Sequence, residues 1–201
     1  MKFEILKKAS IYLLIMSVLC GLIYMFSVTG LAQLLFPQQA NGSIVEVDGK
    51  KYGSSLLAQQ FNDSSHLWGR IMSLDTTEYT DAQGNPVMYA KPMNLSPASE
   101  QYQTLVAERV KMICDANPDA DLSAVPVDLV TCSASGLDPE ISPAAAIYQV
   151  PRIAKATGRS EEDVQAVIDH YTTGRFLGLF GEPRVNVLKV NLTLDGILKM
   201  N

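Results

Sequence analysis

Residues 9–36 read ASIYLLIMSVLCGLIYMFSVTGLAQLLF, which is 28 positions in a row without a charged side chain. The part Ile11–Phe26 is almost continuously apolar. The hydrocarbon core of a bilayer is about 30 Å thick and a helix rises about 1.5 Å per residue, so about 20 apolar residues cross it. A helix also satisfies its own backbone hydrogen bonds, as lipid requires. The stretch therefore predicts a transmembrane helix over residues 11–35.

Three other interpretations of this stretch compete with a permanent anchor. A secretory signal peptide has an apolar region of only about 7–15 residues before a small-residue cleavage site. Gly30-Leu31-Ala32 fits such a site, but apolar residues resume after it at 34–36. Cys20-Gly21 suggests a lipoprotein site, but the preceding Leu19 is bulky where a small residue is expected. A buried core helix normally has a polar face, which this run lacks, so we favour the anchor.

The charges that flank the apolar run predict its orientation. Lys2, Lys7 and Lys8 stand before it against the single acid Glu4, whereas the first cation after it is Lys50. Cytoplasmic flanks carry the excess of Lys and Arg. We therefore expect residues 1–10 to be cytoplasmic and residues 36–201 to form one extracytoplasmic domain at the cell membrane.

The charge of this outer domain excludes some classes of partner. The chain has 16 basic and 21 acidic residues, and leaving out the four charged residues before the apolar run gives 13 and 20, a net charge of −7. This balance argues against nucleic acid and against anionic membrane surfaces as partners. It would enrich cations nearby only mildly, because salt screens exposed charges beyond about 10 Å.

The cysteine pattern gives no sign of a metal site. Cys20 lies in the apolar run, and Cys114 and Cys132 lie in the outer domain. A disulfide between the latter two is possible in an oxidising compartment, and two free buried thiols are equally compatible with the sequence. Because the sequence has no CxxC or Cys/His cluster, zinc is not indicated.

The first half of the outer domain predicts a hairpin, a helix and a strand. Asp48-Gly49 between β-branched residues indicates a hairpin turn. Gly53–Phe61 has the apolar spacing of one or two helical turns. Ser96-Pro97 has the residue types of a helix N-cap and first position, and this helix should end near Asn117-Pro118. Val125–Cys132 is rich in β-branched residues and predicts a buried strand.

The second half alternates helices and strands. Ser142-Pro143 should start a helix that Pro151 kinks or ends and that Gly158 stops. Ser160 resembles the N-cap of the next helix. After a glycine-rich link, the run RVNVLKVNLTL at 184–194 predicts a last strand. The fold class that follows is α+β, namely one N-terminal transmembrane helix followed by a single mixed α/β extracytoplasmic domain.

The loop after the predicted strand is the most informative candidate site outside the membrane. Ser133, Ser135 and Gly136 precede a helix N-terminus, where N–H groups bind anions. A phosphate loop would also need a Gly-Lys-Ser/Thr sequence, which is missing. The structural interpretation is that Gly136 permits the turn while Asp138 and Ser142 cap it.

A membrane-tethered hydrolase is a second function class. It would need the fold to bring His170 close to Ser133 or Ser135, and no nucleophile-elbow pattern supports this. His66 is the other histidine. Glu182 and Asp195 are acids that could serve as general acid or cation ligand, but no carboxylate-dense loop of the calcium type occurs. A simple binding domain is a third class.

Three runs of residues resemble a known family. They are ANGSIVEVDGKKYGSSLLAQQF at 40–61, PVDLVTCSASGLDPEISPAAAIYQVPRIAKATG at 126–158 and LGLFGEPRVNVLKVNLTLD at 177–195. Together they resemble the C subunit of the bacterial and archaeal Kdp-type potassium-transporting P-type ATPase. The SGLDPEISPAAA and GEPRVNVL parts are specific only in combination. The resemblance runs from the membrane helix to the end of the last run.

The resemblance implies a non-catalytic accessory subunit of a heterotetrameric pump. The partners in this family are a channel-like potassium-translocating subunit, a P-type subunit that hydrolyses ATP, and a very small membrane peptide. The present chain lacks the Asp-Lys-Thr-Gly-Thr phosphorylation motif, so it is not the hydrolytic subunit. Members of the family are described as catalytic chaperones that raise the ATP affinity of that partner. ATP and potassium would then be handled by the complex, and this chain would have no cofactor of its own.

An extracytoplasmic domain cannot touch cytoplasmic ATP. We therefore expect assembly, and stabilisation through the membrane helix, rather than direct nucleotide contact. The family's motif residues would hold the fold or the docking surface over the entrance of the channel-like partner. They are Ser133, Ser135, Gly136, Asp138, Ser142, Gln149, Arg152, Glu182, Pro183 and Asn186.

The chain departs from the family pattern in two places. Many members have a Ser-Gly-Gly-Ser-Asn stretch, likened to the ABC-transporter signature, where this chain has Ala90-Lys91-Pro92-Met93-Asn94. Both glycines are missing, so any close backbone approach that they allow does not carry over. The usual Arg-Pro-Ser is Arg70-Ile71-Met72 here.

Overall fold

A long apolar helix opens the chain, as the sequence predicts. The structure is a computed structural model and describes residues 2–200. Helix α1 spans Lys2–Val18, a π-helical segment follows over Leu19–Tyr24, and helix α2 spans Met25–Leu35. Together they form a continuous helix, which over Phe3–Leu35 has 33 residues and is apolar and long enough to cross a membrane. None of the residues in its most apolar stretch is buried against the rest of the protein. At about 1.5 Å per residue it reaches about 50 Å.

The chain divides into two compact units, with the boundary between Val45 and Glu46. The first unit holds the long helix and a short helix α3 over Pro37–Ala40. Strands β1 (Ile44–Val47) and β2 (Lys50–Ser54) flank the turn at Asp48-Gly49. Both turn residues have positive φ, 52° and 76°, as a type I′ turn requires. The predicted strand–turn–strand is therefore confirmed.

The second unit combines short antiparallel strands with helices, which confirms the α+β class. Strand β3 pairs with β4, and β7 lies between β5 and β6. After β2 its elements are β3 (Leu74–Asp75), β4 (Tyr89–Ala90), α4 (Glu100–Ala116), a 3₁₀ turn (Val127–Leu129), β5 (Glu140–Ile141), α5 (Pro143–Ile147), α6 (Val150–Thr157), α7 (Glu161–His170), β6 (Thr172–Thr173), β7 (Arg184–Asn186) and α8 (Val187–Leu194).

Helix α8 is the most buried element of the second unit. Seven of its eight residues are buried, and it packs against α7 and β7. Ile153 of α6, Val164 and Ile168 of α7, and Val185 of β7 are inaccessible to solvent and belong to the same cluster of core side chains. Burial of such side chains is the main favourable contribution to folding.

The predicted last strand is wrong over most of its length. Only Arg184–Asn186 is a strand, and Val187–Leu194 is a helix. The side chain of Asn186 accepts a hydrogen bond from the Lys189 N–H at 3.1 Å, which is the contact of a helix N-cap. Because the helix is buried almost all round, its sequence shows no polar face and resembles a buried strand.

The predicted strand over Val125–Cys132 is also wrong. Val127–Leu129 forms a 3₁₀ turn, and Cys132 makes an isolated bridge to Ile71. The Asp128 carboxylate accepts a hydrogen bond from the Ser142 N–H at 2.7 Å. A polar anchor to another loop therefore overrides the β propensity of the neighbouring residues.

The predicted helix boundaries are partly correct. Ser142 caps α5 through the Ala145 N–H, Ser160 caps α7, and Gly158 ends α6 with φ of 70°. The proline at 151 lies in the first turn of α6, so the predicted break is confirmed. Helix α4, however, begins after Ser99 rather than Ser96, and Gly53–Phe61 contains no helix.

Candidate functional site

A network of buried polar side chains joins α6 to the irregular segment 63–70, with Gln149 at its centre. The Gln149 side chain is inaccessible to solvent. Its Oε1 accepts hydrogen bonds from the Trp68 N–H at 2.9 Å and from Arg152 Nη2 at 2.6 Å. Its Nε2 donates to the carbonyls of Trp68 at 3.1 Å and Ala145 at 3.0 Å. One amide thus pairs both backbone groups of Trp68, as a neighbouring strand would.

Arg152 holds the preceding residues of the same segment by their carbonyl groups. Its Nη1 lies 3.2 Å from the Asp63 oxygen, 2.8 Å from that of Ser64 and 3.0 Å from that of His66. A charged donor binds such carbonyl oxygens more strongly than a neutral one, because each oxygen carries partial negative charge. The guanidinium therefore sets the curvature of this loop.

The remaining contacts of Arg152 fix its orientation. Its Nε donates to Asn117 Oδ1 at 3.0 Å, and the guanidinium lies 4.6 Å from the centre of the Trp68 ring, within the range of a cation–π interaction. The residue is 7 % exposed. Burial lowers the pKa of Arg152 to about 10, although the charge of Asp63 opposes this change. The group stays protonated at neutral pH.

Two asparagines repeat this way of holding backbone. Asn191 of α8 accepts from the Leu67 N–H at 2.7 Å and donates to the Leu67 carbonyl at 2.9 Å. Asn186 donates to the Ser55 carbonyl at 2.9 Å while it caps α8. Irregular segments lack strand or helix partners for their backbone groups, so buried side chains must supply them.

His66 bridges two acidic residues beside this network. Its Nδ1 lies 2.6 Å from Asp63 Oδ2, and its Nε2 lies 2.9 Å from Asp195 Oδ1. Both ring nitrogens donate only in the protonated imidazolium. Burial lowers the pKa of His66, but the hydrogen bonds to the two carboxylates outweigh burial and raise it. Burial raises the pKa of Asp63, but hydrogen bonds from Ser65 and His66 prevail and bring it to about 2.

The predicted loop residues lie together in a series of tight turns. Ser133 Oγ and Ser135 Oγ are 3.1 Å apart, and Ser135 Oγ accepts from the Leu137 N–H at 3.2 Å. Asp138 Oδ1 accepts from the Glu140 N–H at 3.2 Å, and Ser142 Oγ from the Ala145 N–H at 3.2 Å. The bonds of Ser135 and Asp138 have the form of Ser and Asx turns, and the bond of Ser142 is the N-cap of α5. Asp138 and Ser142 therefore cap the loop as predicted.

Gly136 is where this loop meets a neighbouring segment. It has φ of 73°, and a Cβ atom there would lie 2.8 Å from the Ser73 carbonyl oxygen and 3.2 Å from that of Lys91. The Gly136 carbonyl accepts from the Ser73 N–H at 2.9 Å. Only glycine combines this conformation with so close a backbone approach.

Arg70 connects the loop to the 3₁₀ turn. Its Nη1 lies 3.3 Å from Asp128 Oδ1 and its Nη2 3.2 Å from Thr131 Oγ1. Its Nε lies 4.0 Å from Asp138 Oδ2. The arginine of the Arg70-Ile71-Met72 stretch thus pairs with the carboxylates of Asp128 and Asp138.

Glu182 and Pro183 lie apart from the network, on the exposed link between β6 and β7. Both are exposed, and Glu182 Oε2 pairs with Arg175 Nη2 at 2.7 Å. The predicted residues therefore fall into three groups and one separate residue. Gln149 and Arg152 touch each other, the loop 133–142 forms a second group, and the exposed Glu182 and Pro183 form a third. Asn186, the remaining residue, is buried at the end of β7 and donates to the Ser55 carbonyl.

Sequence reasoning missed several members of the network. They are Asp63, Trp68, Asn117, Asp128 and Asn191. Asn191 had a usable signal, because a polar residue inside an otherwise apolar run marks a buried hydrogen-bonding position. The others lie in loops or, for Asp128, in the 3₁₀ turn, where sequence spacing carries no such information.

The structure does not bring together the serine and histidine side chains that a hydrolase would need. Among the described residues, the hydrogen bonds of the Ser133 and Ser135 hydroxyls are those within the loop. His170 instead packs edge-on against Tyr171, with ring centres 4.7 Å apart. A serine nucleophile needs a base within hydrogen-bonding reach. Within residues 2–200, Cys20, Cys114 and Cys132 are free thiols, and no cluster of three or more His, Cys, Asp or Glu side chains is placed to hold a metal ion.

Comparison with known proteins covers almost the whole chain. The family model described as KdpC, the K+-transporting ATPase c chain, matches residues 6–196. A protein of Clostridium botulinum (strain Alaska E43) named potassium-transporting ATPase KdpC subunit is 58% identical over 192 residues, which is 96% of both chains. A Clostridium perfringens protein of the same name is 58% identical over 196 residues, 98% of this chain and 99% of the relative.

A more distant relative covers the same extent. The potassium-transporting ATPase KdpC subunit of Rhodopseudomonas palustris (strain BisB5) is 46% identical over 195 residues, 94% of this chain and 96% of its own length. The family's c chain is a subunit of the ATPase complex and by name not the catalytic one. The chain belongs to the KdpC family, the c chain of the K+-transporting ATPase.

Proposed function

We propose that this subunit serves the assembly and stabilisation of its potassium pump, with one membrane helix as its anchor. The N-terminus would lie in the cytoplasm, and the second unit would lie outside and dock over the entrance of the channel-like partner. The other partners would be the ATP-hydrolysing P-type subunit and the small membrane peptide, which together make a heterotetramer.

The observation that carries this proposal is the extent of the family match. It covers residues 6–196 and therefore takes in both the apolar helix and the second unit. The three lysines before the apolar run favour the cytoplasmic N-terminus.

The polar network supports a structural rather than a catalytic role for the motif residues. Gln149, Arg152 and Asn191 direct their side chains at backbone groups of the segment 63–70. Buried networks with paired groups rigidify a fold. A rigid outer domain is suited to docking, because a preorganised surface loses little entropy on binding.

Any influence on ATP affinity would then be indirect. An outer domain has no contact with cytoplasmic ATP, so the chaperone effect described for the family would act through the membrane helix and its packing against the hydrolytic partner. Such coupling requires that the helix prefer one state of its partner over another.

Deletion of residues 1–36 tests the anchor. A variant of residues 37–201 exported through a cleavable signal should no longer co-purify with the other pump subunits in mild detergent. A second variant, with residues 9–36 replaced by an unrelated leucine–alanine helix of equal length, separates tethering from specific helix packing. Stoichiometric association of the deletion variant would contradict the proposal.

A further inference from the structure

The exposed link between β6 and β7 forms a short hairpin with an apolar end. We call residues Phe176–Phe180, with the sequence FLGLF, the apolar tip. The Phe176 N–H donates to the Phe180 carbonyl at 2.8 Å and the Phe180 N–H to the Phe176 carbonyl at 3.0 Å. Leu177 and Gly178 form the turn with positive φ of 54° and 73°. The antiparallel pairing of β6 with β7 fixes the base of the hairpin.

The large side chains of the apolar tip are almost fully exposed. The exposed fraction is 70% for Phe176, 74% for Leu177, 76% for Leu179 and 63% for Phe180. The tip and the following Gly181 contain no charged or polar side chain. Single exposed apolar side chains are ordinary, whereas a contiguous group of large ones marks a surface that is covered in use.

Several backbone groups of the apolar tip are paired within the hairpin. Besides the two bonds between Phe176 and Phe180, the Gly178 N–H donates to the Arg175 carbonyl at 3.1 Å and the Leu179 N–H to the Phe176 carbonyl at 3.1 Å. A segment that enters hydrocarbon must pair its own N–H and carbonyl groups, because lipid offers no partners. The apolar tip meets this requirement at four of its five N–H groups and at the carbonyls of Phe176 and Phe180.

We infer that the apolar tip inserts into the bilayer that holds the chain's own membrane helix, as a second and shallow point of attachment. Its occupant is the lipid at the boundary between headgroups and acyl chains. The inference rests on the part of the proposed function that places the first unit in a membrane. It does not depend on which side of the membrane the second unit faces.

The residues at the base of the hairpin suit the same position. Arg175 and Glu182 form an ion pair with an N–O distance of 2.7 Å directly beside the tip. Paired charges flanking an apolar end match a zwitterionic headgroup layer, into which long charged side chains extend. A net-negative domain is not drawn to an anionic membrane surface by charge, so the attachment must be apolar.

Tryptophan quenching in a lipid bilayer tests the inference. The full chain with Leu179→Trp is reconstituted in nanodiscs of phosphatidylcholine, with or without bromine on the acyl chains. We expect brominated lipid to reduce its emission by about twofold or more, because the ring lies in the acyl boundary. The unchanged chain supplies the contribution of the native Trp68, which is subtracted.

Two matched positions make the result decisive. Leu122 is 53% exposed on a loop of the same unit, and Leu122→Trp should not be quenched. Leu22→Trp in the membrane helix should be quenched strongly. Quenching of Leu22→Trp but not of Leu179→Trp would overturn this inference and leave the proposed membrane placement of the helix intact. No quenching at either position would instead overturn the membrane placement in the proposed function.

Photocrosslinking in the assembled pump identifies the occupant. A benzophenone amino acid at position 179 is irradiated in native membranes that contain all subunits. Lipid adducts, seen as small mass increases of this chain, support the inference. A crosslink to another protein of the pump as the main product would overturn it and assign the apolar tip to a protein interface.

Discussion

The buried charge of Arg152 holds other parts of the fold in place. Its nitrogens meet three main-chain carbonyls, two side-chain amide oxygens and an aromatic face. The planar guanidinium presents its donors in a fixed fork, which the ammonium of lysine cannot imitate. Arg152 therefore holds the segment 63–70 in its observed conformation by binding its carbonyl groups.

We predict that Arg152→Met lowers the free energy of unfolding by about 3–5 kcal/mol, because it leaves several buried acceptors without donors. Arg152→Lys should be nearly as harmful. The measurement is urea unfolding of the full chain in mild detergent, followed by circular dichroism.

Lys155→Ala on the same helix serves as the control for the Arg152 variants. The Lys155 side chain is 74% exposed and pairs with Asp119, so its loss should cost less than about 1 kcal/mol. Similar losses for the Arg152 and Lys155 variants would contradict the prediction.

His66 should make stability depend on pH. The folded state raises the pKa of His66, so its contribution is complete below the unfolded value of about 6.5 and is lost as pH rises through the folded value. We expect His66→Gln to cost about 1 kcal/mol at pH 5.5, since its two carboxylate partners are partly exposed. Well above the folded pKa the cost should be smaller.

Thermal unfolding of the His66 variant at pH 5.5, 7 and 9 provides the measurement. His170→Gln is the matched control, because His170 is exposed at the end of α7 and has no carboxylate among its contacts in the described chain. An equal loss at all three pH values would mean that His66 acts only by packing against Phe61, whose ring lies 5.2 Å away.

At the scale of elements, most caps and proline breaks were predictable, whereas the buried helix α8 was not. Ser142-Pro143, Pro151 and Gly158 act through one residue's own backbone preferences, so their effects can be deduced locally. Helix α8 has the composition of a strand, and only its burial on every side explains how it tolerates that composition as a helix. Such burial depends on the packing of other elements, such as α7, around the helix and has no local signal.

In the candidate site, too, local features could be predicted from the sequence and long-range contacts could not. The turns of Ser135, Asp138 and Ser142 are local and can be predicted from the residue types. The partners of Gln149 and Arg152 cannot, because Trp68 lies 81 positions before Gln149. Sequence resemblance marks these two residues as motif members without indicating what they hold.

Asn186 joins two elements, so we predict a larger effect than for an ordinary cap. Asn186→Ala removes both the cap of α8 and the bond to the Ser55 carbonyl. The expected loss is about 1–3 kcal/mol in denaturant unfolding. Ser160→Ala, which removes only the exposed cap of α7, should cost about 1 kcal/mol or less. A smaller loss at Asn186 than at Ser160 would refute this account.

At the scale of the whole molecule, the proposed orientation can be tested with thiol reagents. In intact cells, an impermeant maleimide should label Leu122→Cys in a chain without native cysteines, because this position would lie outside. Lys8→Cys should react only after permeabilisation. The native Cys114 and Cys132 are half-buried, and burial raises the pKa of Cys132, so they should react slowly until the chain is denatured. The reverse pattern at positions 8 and 122 would invert the topology.

The position of Trp68 has a practical consequence, since it is the only tryptophan in the chain. Its ring stacks on the Arg152 guanidinium, and its indole N–H donates to the Asp63 carbonyl at 2.7 Å. Trp68, the natural fluorophore, therefore lies at the contact between α6 and the segment 63–70. A change in its fluorescence would report a change in the contacts between α6 and the segment 63–70. The same signal can be measured in the intact pump once the tryptophans of the other subunits have been replaced.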